Sequence, residues 1–187
     1  VAKVNKIKSG KIKKFKKEKG KKKEKEKLSL PKELSVPSDR IEDYTWLIYG
    51  ERKIGKTSLA AQFEKPFFLM FEPGGRGLRI KQRFCDTWEK FIGYLDLLEA
   101  NPDYCRTVII DTGYACYERC SDYIMDELGL DNAKDGAWGE PWKSIKKEFE
   151  KAHSRIEKLG LGLVVLAHSE VKEVMQRNGG SYNKLSM

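Results

Sequence analysis

The sequence predicts an α/β fold: a mainly parallel central sheet with helices on both faces, three layers in all. Three observations carry this expectation. Four short runs, residues 44–49 (YTWLIY), 67–71 (FFLMF), 107–110 (TVII) and 163–167 (LVVLA), are β-prone and largely apolar instead of alternating, LVVLA fully so. Strands that are apolar on both faces need cover on both, as in a parallel sheet between helical layers. The segments between the runs place their apolar residues at helical spacing, and a glycine-bounded loop joins the first run to the first such segment.

Each element follows in order. Order is expected to begin near Ile41, and the first strand stops at Gly50. Residues 57–63 have helix-forming composition. Pro66 precedes the second strand, which Pro73, Gly74 and Gly75 close. Trp88, Phe91, Ile92, Leu95 and Leu98 mark a helix, and TVII ends in Asp111. Residues 114–128 are read as helical. The clearest helix spans 138–159, where Trp142, Ile145, Phe149, Ala152, Ile156 and Leu159 step by three and four; His153 is assigned to its polar side. The fourth strand, LVVLA, runs into His168.

Charge divides the 187 residues in two. Residues 1–27 hold fourteen lysines against Glu18, Glu24 and Glu26, a net +11, so the rest of this +9 chain carries −2. Like charges at that density repel and leave too little apolar surface to offset ordering entropy, which predicts a disordered tail. Residues 28–40, with Pro31 and Pro37, read as a linker. The expected organisation is therefore a tail and linker over 1–40 and one domain over 41–187. Such a tail either contacts polyanions by charge alone, with only Phe15 available for stacking, or serves as a solvated extension.

No apolar run approaches the roughly 18–20 residues that span a bilayer, and the lysine-rich start lacks the apolar stretch of a secretory signal. These features predict a soluble, cytoplasmic chain with no membrane partner. Cys85, Cys105, Cys116 and Cys120 form no C-x-x-C pair. Cys116 and Cys120 share a helix face and are either a metal-binding pair or reduced cytosolic thiols. The chain begins with Val and stops nineteen residues after His168, which reads as a fragment truncated at its C-terminus or as a chain with a processed start.

Residues 50–57, Gly50-Glu51-Arg52-Lys53-Ile54-Gly55-Lys56-Thr57, match G-x-x-x-x-G-K-[ST] between a strand and a helix, the context that motif requires. Glycines let successive backbone N–H groups curl round a phosphate, and a helix N-terminus adds partial positive charge. The nucleotide is expected to contact residues 50–58, ending with Ser58. Lys56 is expected at the β- and γ-phosphates and Thr57 at Mg²⁺, while Arg52 and Lys53 face solvent. The absence of an N-K-x-D guanine-reading motif favours ATP over GTP.

Asp111 at a strand tip suits a Walker-B aspartate holding the same Mg²⁺, although it could instead cap the following helix. Thr112 follows it, so no glutamate stands directly after Walker B. Glu72 at the end of FFLMF is the candidate base, on the expectation that its strand lies beside the loop's own; otherwise it is an exposed loop residue. His168 at the tip of LVVLA faces the ligand crevice of an open α/β sheet and could sense the γ-phosphate, or be satisfied by backbone.

GERKIGKT, FFLMFEPGG, TVIIDT and LVVLAHS together resemble the RecA-like P-loop ATPases. More narrowly, they are similar to phage-associated nucleotide-binding proteins of the AAA-domain type, which include phage RecA-like single-strand annealing proteins. The likeness spans residues 44–172, including DTWEKF and AWGEPWKSI. It implies Walker-A roles for Gly50, Gly55, Lys56 and Thr57, a Walker-B role for Asp111, catalysis by Glu72 and γ-phosphate sensing by His168. It also implies ATP and Mg²⁺, a DNA-contacting loop after His168, possible homo-oligomers and a phage gene expressed in a bacterial host. The lysine tail departs from that pattern, and strands that would carry subunit-bridging residues are not apparent.

Three functions fit. The first is a DNA-stimulated ATPase acting on single-stranded DNA in recombination or annealing. The second is a loader or packaging accessory using ATP as a conformational switch. The third is a nucleotide-binding scaffold with negligible hydrolysis, which a base at Glu72 argues against.

Overall fold

A computed structural model of the chain describes residues 30–134, 136, 139–175, 179 and 181–186. Pro37–Met187 form one unit. Of the preceding unit, residues 30–36 are described; they are exposed and belong to no helix or strand. The lysine segment and its expected disorder lie outside the described residues.

Five strands form an all-parallel sheet: β1 (Thr45–Gly50), β2 (Pro66–Met70), β3 (Lys81–Phe84), β4 (Thr107–Asp111) and β5 (Gly162–His168). Their order is β1-β5-β4-β2-β3. The four apolar runs are β1, β2, β4 and β5, and the α/β class stands as the sequence predicts. β4 is buried along its whole length because β5 and β2 flank it and both of its faces are covered. β3 was not anticipated: KQRF has no apolar run, since it pairs only with β2 and forms one edge.

Helices α1 (Lys56–Ala60), α2 (Trp88–Ala100), α3 (Gly113–Leu128) and α4 (Glu140–Lys158) complete the domain. One face of the sheet, with Phe67, Leu69, Val108, Ile110 and Leu163, packs into a large core with Trp88, Phe91 and Leu95 of α2, Cys116 and Cys120 of α3, and Ile145 and Ile156 of α4. The other face, with Phe68, Met70, Ile109, Val164 and Leu166, meets a smaller core around Ala60 and Phe63. The three layers are thus unequal. Local sequence explains the helix ends: Thr87 accepts from Lys90 N at the start of α2, and Gly129 takes the left-handed conformation that closes α3.

Three expectations change. The segment after His168 is an antiparallel hairpin, β6 (Glu170–Met175) with β7 (Ser181–Ser186), where a loop was expected. Among the described residues α4 begins at Glu140; Trp138 lies outside them. Its apolar stripe also sits differently: Trp142 in the first turn is 48% exposed, while His153 is half-buried against Phe149, ring centroids 4.1 Å apart. Residues 149 and 153 are helical neighbours, so the imidazole joins the apolar side that Phe149 defines. Among the described residues, no helix is long and apolar enough to cross a membrane.

Candidate functional site

β1, β5, β4 and β2 all end at one edge of the sheet, and the sequence-predicted residues stand at or just beyond those ends. The loop after β1 turns back on itself through Lys53 and Gly55, both at positive φ. Gly55 has φ 98°, a conformation that a Cβ would strain, and it leads directly into α1. Glu51, Arg52, Lys53, Ile54 and Ser58 are exposed, and Gly50 is half-buried. α1 has only five residues, so its axial dipole is shorter than the sequence pattern suggested, and the loop's own N–H groups form most of any anion cradle. Ser169 N, just beyond β5, donates to Gly50 O at 3.0 Å and fixes the loop's starting point.

Lys56 is 8% exposed, and its ammonium is fully engaged. It donates to Gly50 O at 2.9 Å and Glu51 O at 2.7 Å, and it lies 3.2 Å from His168 Nδ1. An ammonium has no lone pair, so in this contact Nδ1 can only accept, which is the tautomer with hydrogen on Nε2. That Nε2 lies 3.4 Å from Glu72 Oε2. The other Glu72 oxygen accepts from Thr112 Oγ1 at 2.8 Å.

Beside this chain, Thr57 Oγ1 donates to Asp111 Oδ2 at 2.9 Å. Burial raises the Asp111 carboxyl above the usual aspartate range, and the nearby Glu72 charge pushes the same way; the Thr57 hydrogen bond, His168 and Lys56 oppose them. Asp111 does not cap α3. Thr112 does, accepting from Ala115 N at 3.5 Å, which leaves the aspartate to face Thr57. The Asp111–Thr112 peptide is cis.

The structure brings Lys56, Thr57, Glu72, Asp111 and His168 together, but by a different route from the one expected for Glu72. β2 does not lie beside β1; β5 and β4 stand between them. Glu72 reaches the group because β2 pairs with β4 in a register that sets Met70 opposite Asp111. His168 arrives on β5, whose last residue pairs with Gly50. Thr112 was missed as a contributor: its only sequence signal is its place after Asp111, and its two contacts come from the fold.

A hydroxyl and a buried carboxylate, both oxygen donors, suit Mg²⁺, which is held by one or two protein oxygens together with phosphates and water. Among the described residues, no cluster of three or more His, Cys, Asp or Glu could hold a metal by protein ligands alone. Cys116 and Cys120, read from the sequence as either a metal-binding pair or reduced thiols, are both buried in the core, and Cys120 Sγ lies 3.7 Å from Ile145 O.

A family model described as an AAA domain matches residues 42–187. No curated protein matches the sequence.

Proposed function

The chain belongs to the AAA domain family, matched over residues 42–187, and from that premise we propose that it binds ATP with Mg²⁺, hydrolyses it, and acts on single-stranded DNA in recombination or annealing. The observation that carries the enzymatic part is the continuous side-chain path from Lys56 through His168 to Glu72 along the ends of the strands. A scaffold that only held nucleotide would have no use for a carboxylate wired to the phosphate-binding lysine.

In this mechanism γ-phosphate oxygens replace the Gly50 and Glu51 carbonyls as acceptors for Lys56. The Thr57 hydroxyl and the Asp111 carboxylate would hold Mg²⁺, which when bound would supply positive charge against the phosphates. Glu72 accepts a proton from water as that water's oxygen bonds to the γ-phosphorus and the bond to the β-phosphate oxygen breaks. His168 senses the γ-phosphate because a change in its Lys56 contact alters its hold on Glu72. The DNA part rests on the sequence resemblance to phage RecA-like annealing proteins and on the charge of residues 1–27.

The test is ATP hydrolysis with and without single-stranded DNA at two salt concentrations. Mg²⁺-dependent turnover that DNA stimulates, less so at high salt, supports the proposal. Absence of turnover removes the enzyme; turnover indifferent to DNA favours the loader or packaging role.

A further inference from the structure

From Pro73 to Cys85 the chain carries Arg76, Arg79, Lys81 and Arg83 and no acid, a local +4 within a body whose net charge is slightly negative. All four are exposed, and among the described residues none forms an ion pair. They lie on β3 and the loop leading into it, at the open edge of the sheet. Beside them Phe84 is 51% exposed. Charged residues on an edge strand discourage unwanted pairing, but an exposed phenylalanine works against that purpose and calls for another explanation.

A cavity of about 400 Å³ opens at this edge, lined by Met70, Glu72, Pro73, Gly74, Arg76, Gln82 and Phe84. Gly75 has φ 68°, and a Cβ there would strike the Gln82 carboxamide, so the loop is folded closely over β3. One wall is Glu72, whose carboxylate also faces His168 and Thr112. Glu72 is thus shared between the strand-end cluster and a cavity with a cation, an amide and an aromatic face.

We propose that the β3 edge seats single-stranded DNA, one base stacking on Phe84 and the adjoining phosphates meeting Arg76, Arg79 and Arg83, so that the strand borders Glu72 directly. This rests on the function proposed above and places the strand on the body of the protein as well as on its tail. Stacking on an aromatic with cations along the backbone is how single strands are held without sequence readout, and a duplex cannot offer an unstacked base. Occupancy of the cavity positions Glu72, which links DNA binding to turnover.

The test uses the full chain and a thymidine oligonucleotide carrying one 2-aminopurine, with binding followed by fluorescence and ATP turnover measured in parallel. Phe84→Leu is expected to weaken binding about 5- to 150-fold, the range for one stacked base, and to lose the base-specific fluorescence change. Arg76→Ala and Arg79→Ala should each reduce the slope of log affinity against log salt by about 0.7. Basal turnover should persist in all three while DNA stimulation falls. Wild-type affinity, salt slope and stimulation in these variants would overturn the β3 site while leaving DNA binding by the protein intact. No binding by the unaltered chain at any salt would instead refute the DNA function itself. Equal binding of a blunt duplex without a fluorescence change would overturn the stacking. Should Phe84→Leu fail to fold, the two arginine variants, altered at exposed and unpaired positions, decide the matter.

Discussion

The imidazole of His168 is held between a cation and an anion, with Nδ1 3.2 Å from Lys56 Nζ and Nε2 3.4 Å from Glu72 Oε2. In the proposed mechanism each end of the ring has a separate task, so substitutions should separate them. His168→Ala is expected to keep ATP affinity within a few-fold, because Lys56 and the loop remain, and to lower kcat by about 10- to 100-fold. Glu72→Gln should cost about 100-fold or more in kcat, the scale of a lost general base. His168→Gln, whose amide can accept from Lys56 and donate to Glu72, should recover part of the loss. An unchanged kcat in His168→Ala would show that the imidazole is a bystander.

In the proposed Mg²⁺ site, the Thr57–Asp111 pair carries a burial cost. Burial raises the Asp111 carboxyl, so its charged form is disfavoured in the fold, and the Thr57 hydroxyl offsets only part of this. Asp111→Asn keeps the shape and removes the charge. Relief of about 1 kcal/mol, the scale of one buried polar cost, corresponds to a Tm rise of about 2–4 °C in a domain of this size. The same variant should lose the extra Tm increase that Mg²⁺ adds to ATP. A lower Tm without ligand would refute this account of Asp111.

How far the site was legible follows from which forces mark a sequence. The loop at residues 50–57 was plain because few residue patterns meet its backbone demands, and β4 and β5 were plain because burial on both faces excludes polar residues. Edge elements escape such constraints: Lys81–Phe84 pairs on one side only, so KQRF resembles a loop. Strand order is set by long-range pairing and leaves no local mark. Glu72 is legible as a strand-end residue, but its neighbour is not: β2 lies against β4 and not β1, and β4 supplies the link to Asp111. Trp142 and His153 show the same limit within a helix: spacing identified α4 but could not say where neighbouring elements stop covering it.

His153 provides a pH test. Burial lowers its proton affinity below the usual histidine value of 6.5, with the Phe149 carbonyl and Glu157 pulling weakly the other way. A base with a depressed value in the fold favours unfolding when protonated. Its contribution is therefore fully present above about pH 6.5 and is lost as pH falls through and below that value. His153→Leu should flatten the fall in Tm between pH 7 and 5 relative to the unaltered chain. An identical pH profile would show that the imidazole ionises as freely in the fold as outside it.

The four thiols should report the integrity of the core. Cys85, Cys105, Cys116 and Cys120 are all buried and unpaired. Burial pushes Cys85 and Cys120 up to about 12 and Cys105 up to about 11, and raises Cys116 well above its usual value. The thiolate is the reactive form, so these residues should resist a disulfide reagent at pH 8 over the time in which a free thiol reacts fully. In denaturant all four should react. Because folding favours the neutral thiol, this stabilisation is complete below about pH 9 and declines as pH rises from there toward the folded values. Cys120 lies where α3 meets α4, its Sγ against Ile145 O, so it should label only as fast as that helix pair opens. Rapid native-state labelling at Cys120, with Cys85 still protected, would mean that α4 separates from α3 without global unfolding.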